Sequence, residues 1–407
     1  MTTRSGLLHM IIGLAACGGG TSFPDGNLTD GPTRDSASAG DAAGVASVAV
    51  HVRRVDGSGA DDAGAMVAFA GPDGVVTTTL TTDATGHATG TVAIGGSVTV
   101  AQRDADPSVR TITQTTIVGL HDGDAIEIGP EARFAGAMTI TVPALAGATG
   151  YHAAGPCLAG DASSTTVDVA LGTGCASPRT IVMVADTPTG AQFLTQADVA
   201  PADGAMLSMT GTWAPAASIA IAVTAPSTPA DLRRDVILAG GSAYGDAPTG
   251  VVGTTATFAT PAGVGDAALL QANLGTHVIW QVAPLDATAF DASPTLPAIT
   301  AVTPTSGAIT WELDGPSTAD AIVLDMEGGT EGQPIVWRAI LPGDATAFTP
   351  PSPAGIPAAP LPVTSMMLFS ASTASWEELR PTIATALLRS VLPVAPTPGA
   401  RVELSLD

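Results

Sequence analysis

Apolar residues in this chain come in runs of five to eight, cut apart by turn-forming pairs, and that rhythm constrains the fold more than any other feature. Runs of that length suit strands; a helix needs about ten residues or more, and a membrane span about 20. From residue 45 the pattern reads Ser47 to Val55, Met66 to Ala70, Gly74 to Thr82, Thr91 to Ile94, Ser97 to Ala101, Arg110 to Val118 and Ala125 to Ile128. Between these runs stand Asp56-Gly57, Pro72-Asp73-Gly74, Asp83-Ala-Thr-Gly86, Gly95-Gly96 and Asp122-Gly123, each a turn signal. Seven short strands over roughly 85 residues predict a β-sandwich. Aromatics make up only 4% of the chain, and Ala, Gly, Thr, Val and Pro dominate, which favours small-residue β-structure over helical bundles.

The segment from Pro72 to Val100, with its Thr82-Asp83-Ala-Thr-Gly86 strand ending and its Gly95-Gly96 turn, resembles bacterial Ig-like and carboxypeptidase-regulatory-like domains. That resemblance covers residues 46–130 and implies a sandwich without implying an activity. A second β-module is expected over 131–213, with strands Met138 to Val142, Thr166 to Ala170, Thr180 to Ala185 and Ala205 to Gly211. Ala217 to Ala225 opens a third, over 214–301, and a fourth follows over 302–407. Val278-Ile-Trp280 through Asp286-Ala-Thr-Ala-Phe290 recurs as Val336-Trp337 through Asp344-Ala-Thr-Ala-Phe348, each copy running into Pro-rich text. We read the echo as equivalent strands of adjoining or nested modules. Its form, a strand Trp followed by a Pro turn, resembles late strands of fibronectin type III-like domains. Ser375-Trp376-Glu377-Glu378 forms a capping box, and Pro381 limits the helix it starts to a turn or so. Arg401 to Leu406 alternates and is expected to close a sheet. The fold class is therefore all-β: tandem Ig-like and fibronectin-like sandwich modules.

Ahead of these modules, Arg4 and the apolar stretch Gly6 to Ala16 have the charge and length of a signal peptide, too short to span a bilayer. Leu14-Ala15-Ala16-Cys17 then follows, with Gly18-Gly19-Gly20 behind it. This order resembles the lipobox of bacterial lipoproteins. The resemblance implies a signal peptide over 1–16, removal before Cys17, a diacylglyceryl thioether on its sulfur, and export to the cell envelope, with the outer membrane as the expected anchor. Residues 17–45 lack apolar periodicity and read as a disordered tether with a reach of roughly 30 Å.

The remaining cysteines, Cys157 and Cys175, are left as a pair in an oxidising compartment and are expected to form a disulfide. Its loop closure is worth about 3 kcal/mol in the chain-entropy account. A net charge of −23, with 14 arginines and no lysine, excludes a nucleic-acid partner, because phosphate binding needs clustered cations.

Catalytic signals are thin. The six histidines (9, 51, 87, 121, 152 and 277) show no metal-ligand spacing. His87 reads as a solvated residue of a Gly-flanked turn, and His152 as a strand-edge residue near the disulfide. Gly240-Gly241-Ser242-Ala243-Tyr244-Gly245 is one residue too long for a nucleophile elbow. Asp56 with Asp61 and Asp62, and Asp122 with Asp124, fall short of a calcium-loop pattern and read as turn acids. The sequence points to no catalytic residue, no metal site and no cofactor. Trp280, Trp311 and Trp337 are candidate contacts for a ligand if exposed, and core anchors if buried. The expected role is structural, adhesive or ligand display through a membrane anchor, toward a protein or glycan that the sequence does not identify. The alternative is a carbohydrate-binding accessory protein or a cryptic hydrolase.

Overall fold

We describe a computed structural model covering residues 44–103, 111–130, 136–154, 158–171, 179–237, 243–246, 250–261, 265–305, 307–330, 333–352, 361–381 and 398–407. Cys17, Cys157, Cys175 and Ser242 lie outside the described residues, as do residues 17–43 of the expected tether, whose last residue, Val45, already opens the first strand.

All seven strands expected in the first module form: β1 (Val45–Val52), β2 (Met66–Ala70), β3 (Val76–Thr81), β4 (His87–Ala93), β5 (Ser97–Arg103), β6 (Ile112–Val118) and β7 (Ala125–Ile128). β1 shows why. Its residues alternate strictly, so Ala46, Val48, Val50 and Val52 are all fully buried while the residues between them face outward. β4, β1 and β7 form one sheet, β1 antiparallel to β4 and parallel to β7. β3, β2, β5 and β6 form the facing sheet. Gly90 lets the two approach, because a Cβ there would run into the ring of Phe69, itself fully buried. The largest boundary difference is at β4, which His87 opens instead of sitting in the turn before it.

The second sheet does not stop at β6. The strand Gln333–Pro342 pairs parallel with β6, Ile335 beside Ile112 through Ile340 beside Ile117. The sheet continues through Ala321–Thr330, Val363–Ala371, Arg401–Leu406, His277–Ala283, Ala267–Asn273, Asp231–Ile237 and Ala243–Asp246, giving twelve strands with β3 at one end. Arg401–Leu406 is thus an interior strand, antiparallel to both neighbours, with Val402 and Leu404 in the core on one face. On the other face Glu403 is 1% exposed. Its carboxylate accepts hydrogen bonds from Thr295 N (2.9 Å), Thr295 Oγ1 (2.7 Å) and Leu296 N (2.9 Å), which pins the Pro-rich 293–297 segment to the sheet.

Smaller sheets cover this platform. The β4-β1-β7 sheet shares a core with Val323, Ile340, Phe369 and Leu404. The sheet of Ile299–Pro304, Ile309–Leu313 and Ala347–Phe348 contributes Ile309 and Phe348 to the core on the opposite face, with Ile112, Trp337 and Leu368. A four-stranded sheet (Gly250–Val252, Thr255–Thr260, Ala217–Thr224, Ala289–Asp291) covers Leu270 and Ile279. The described strands between Gly136 and Pro215 form a separate eight-stranded sheet with its own core of Ile140, Val167, Val169, Ile181 and Met183. Within it His152 sits on an interior strand, Gly150–Ala154, rather than at an edge.

The sequence echo has a structural counterpart. Each copy is a platform strand, a turn, then a short strand in the facing sheet. Ala287 N donates to Pro284 O (3.0 Å), and Ala345 N to Pro342 O (3.1 Å). Phe290 and Phe348, both 3% exposed, then anchor the short strands. The tryptophans are offset by one residue relative to the proline. Period-two geometry therefore sends Trp280 toward one face of the platform and Trp337 toward the other.

The one helix among the described residues, α1 (Trp376–Leu379), is capped by Ser375, whose N–H donates to Glu378 Oε2 (2.7 Å). Among the described residues no helix is long and apolar enough to cross a membrane.

Candidate functional site

Polar side chains gather where the first module exposes the outer face of β4-β1-β7. Strand register puts His87, His51 and Glu127 side by side across the three strands. The two imidazoles stack, centroids 4.3 Å apart and planes within 7°. His51 Nδ1 lies 2.9 Å from Glu127 Oε2, and its Nε2 lies 2.9 Å from Asp61 Oδ1. Arg53 Nη2 closes the row on Glu127 at 3.0 Å. With a carboxylate oxygen 2.9 Å from each ring nitrogen, His51 has neither nitrogen open to a substrate, and among the described residues no Ser hydroxyl or thiol joins the row. The arrangement is a cross-strand ladder of charge-assisted contacts.

The turn feeding β4 is built by Asp83. Its Oδ1 accepts from Thr85 N (2.8 Å), Thr85 Oγ1 (2.8 Å) and His87 N (3.0 Å), an Asx-type turn. Gly86 within it takes φ +72°, a conformation favouring glycine. These donors, the His87 amide first and then the Thr85 hydroxyl and amide, hold the Asp83 carboxyl below its ordinary 3.8. A depressed carboxyl stabilises the fold above its unfolded value and loses that contribution as pH falls through the folded one. The stability advantage of the native chain over Asp83→Asn is therefore expected near neutral pH and should vanish below pH 3.8. Thermal melts of both chains across the acid range check this; curves that stay parallel throughout would refute it.

β3 and β4 lie at the ends of their two sheets, and among the described residues no strand pairs with the outer edge of either. Between them runs an open groove of about 720 Å³, lined by Met66, Thr79, Leu80, Thr81, His87, Ala88 and Thr89. The groove has an apolar floor with hydroxyls and one imidazole around it.

The other candidate residues are engaged elsewhere. Trp337 is 3% exposed; its indole Nε1 donates to Thr116 Oγ1 (2.9 Å), and its ring meets Phe348 edge-on at 6.0 Å. Trp280 and Trp311 are half-buried against two different cores. Asp62 accepts from Gln102 Nε2 (2.8 Å), Asp56 from Ser58 N (2.8 Å) and Asp122 from Ser47 N (2.8 Å). Asp124 binds Arg380. Among the described residues no group of three His, Cys, Asp or Glu is arranged to hold a metal ion. The stacked histidines and the buried Arg380 and Glu403 were not legible as sites, because their partners lie 36 to 256 residues away.

These sheets define a multi-sheet, all-β sandwich protein. No protein-family model and no curated protein matches the chain. Among solved structures it is similar to the Bacillus anthracis TIE protein, at 12% identity and TM-score 0.17, over 61% of this chain and 50% of that one. It is also similar to the pilus adhesin SpaC from Lactobacillus rhamnosus GG, at 11% identity and TM-score 0.13, over 74% of this chain and 44% of that one. A third likeness is to the major pilin protein (T-13) from Streptococcus pyogenes, at 8% identity and TM-score 0.10, over 74% and 97%. The chain spans about half the length of the first two. At these TM-scores the likenesses assign no activity, partner or assembly to this chain.

Proposed function

We propose that this is an exported, lipid-anchored protein of the cell envelope, held at the outer membrane through Cys17, that acts by display or adhesion and not by turnover. The observation that carries the reading is the order of Arg4, the apolar stretch to Ala16, Leu14-Ala15-Ala16-Cys17 and the Gly-rich stretch behind it. A β-body that begins at Val45 supports it, because a tether followed by rigid sheets presents surfaces away from a bilayer. Support for binding over catalysis comes from His51, whose two nitrogens are both taken by carboxylates. The Cys157–Cys175 disulfide belongs to the same proposal.

Metabolic labelling with a palmitate analogue tests the anchor. The native chain should carry label and fractionate with envelope membranes, while Cys17→Ser should carry none and remain uncleaved. Equal labelling of both chains removes the anchor, and with it the reading.

A further inference from the structure

We propose that the β3–β4 groove of the first module is a strand-addition site for an extended peptide bearing basic residues at its ends. Three observations lead there.

The first is the open edge itself. Val76–Thr81 ends the twelve-stranded sheet, so alternate backbone N–H and C=O groups along about 20 Å of strand have no partner strand among the described residues. Exposed edges are normally blunted by charge, proline or a lysine. From Val75 to Thr82 this edge has neither charge nor proline: it reads Val-Val-Thr-Thr-Thr-Leu-Thr-Thr, a run of high strand propensity interrupted only by a register shift against β2 at Thr77. Val75 is 60% exposed at its start.

The second is the pocket geometry. Leu80 and Ala88 form an apolar floor between two strand edges, so a guest strand pairing with β3 would set alternate side chains onto that floor.

The third is charge. Asp73 precedes the edge and Asp83 follows it, both exposed, with Asp61 beyond. Asp83 is held in its ionised form by the turn's own donors. The nearby cation Arg53 is already bound to Glu127. A guest with a cation at each end complements this frame. A second copy of the chain, with its net charge of −23, does not.

The site names a partner class for the display role proposed above and rests on that role, but it is tested apart from it. A chain that carries lipid yet ignores the probe sinks the groove alone.

The probe is a labelled synthetic peptide, Arg-Thr-Val-Thr-Val-Thr-Arg, titrated into the full chain by fluorescence anisotropy. Saturable binding is expected, with hydrogen exchange slowed at Val76–Thr81. A probe N-methylated at alternate residues keeps its charge but cannot pair, and should bind about tenfold more weakly or worse. Thr79→Lys, at an exposed position, should weaken the original probe by a similar factor, and Asp73→Asn should weaken it less. The proposal is overturned if the methylated probe binds as well, if protection appears away from β3, or if sedimentation shows copies of the chain already paired through this edge.

Discussion

Replacing Asp124 with alanine is expected to lower the unfolding free energy by about 3–5 kcal/mol, the cost of stranding a buried charge. The charge left behind is Arg380, 3% exposed, whose Nη2 lies 2.7 Å from Asp124 Oδ1. Its Nη1 also donates to Gly119 O (2.9 Å) and sits 2.7 Å from Glu377. Beside it, Glu127 N donates to Pro381 O (2.8 Å). Together these contacts hold the end of α1 against the loops of the first module. Without Asp124, the guanidinium keeps its burial and loses its principal counter-charge. The paired replacement Asp124→Leu with Arg380→Met should cost less than Asp124→Ala alone, because it removes both desolvated charges together. Denaturant titration of the native chain and the two variants measures this. A single-site loss below about 1 kcal/mol, the range of exposed pairs, would mean the contact is solvated.

Trp337→Ala is the second large expected loss, about 3–5 kcal/mol from the cavity left by a buried indole. The ring fills the core between Phe348 and the platform, and its N–H ties Gln333–Pro342 to Thr116 on β6. Trp337→Phe separates the two contributions, keeping most of the apolar contact while leaving the Thr116 hydroxyl with Thr99 alone, 2.8 Å away. The phenylalanine variant should retain more than half of the stability that alanine loses. Equal losses for both would move the weight from packing to the indole hydrogen bond.

How much of this was legible depended on range. The seven strands of the first module announced themselves, because β1 alternates and glycine–aspartate turns mark its neighbours. The start of β4 was misplaced because Asp83 closes the turn early, so that His87 is already paired with His51. Among the strands between Gly136 and Pro215, Gly150–Ala154 and Leu158–Ala162 went unseen because they are short and built largely of Gly and Ala, and Gly190–Val199 because its burial shows no period of two. Nothing local in Gln333–Pro342 says that it lies parallel to β6, since its alternation would suit any neighbour. Glu403 and Arg380 carry no local sequence signal of their burial. Their burial follows from partners about 108 and 256 residues away. For the candidate site, the open edge of β3 was present in its uncharged threonines, but only the topology leaves that edge bare.

The parallel pairing of Gln333–Pro342 with β6 also sets an order in time. Trp337 and Thr116 are 221 residues apart along the chain, so the first module can gather its sandwich early yet keeps one side of β6 unsatisfied until much later sequence arrives. Contacts of such separation are slow to close, and an incomplete sheet offers its raw edge to any passing strand. During synthesis, the interval before residues 333–342 dock is when this chain is most open to mispairing.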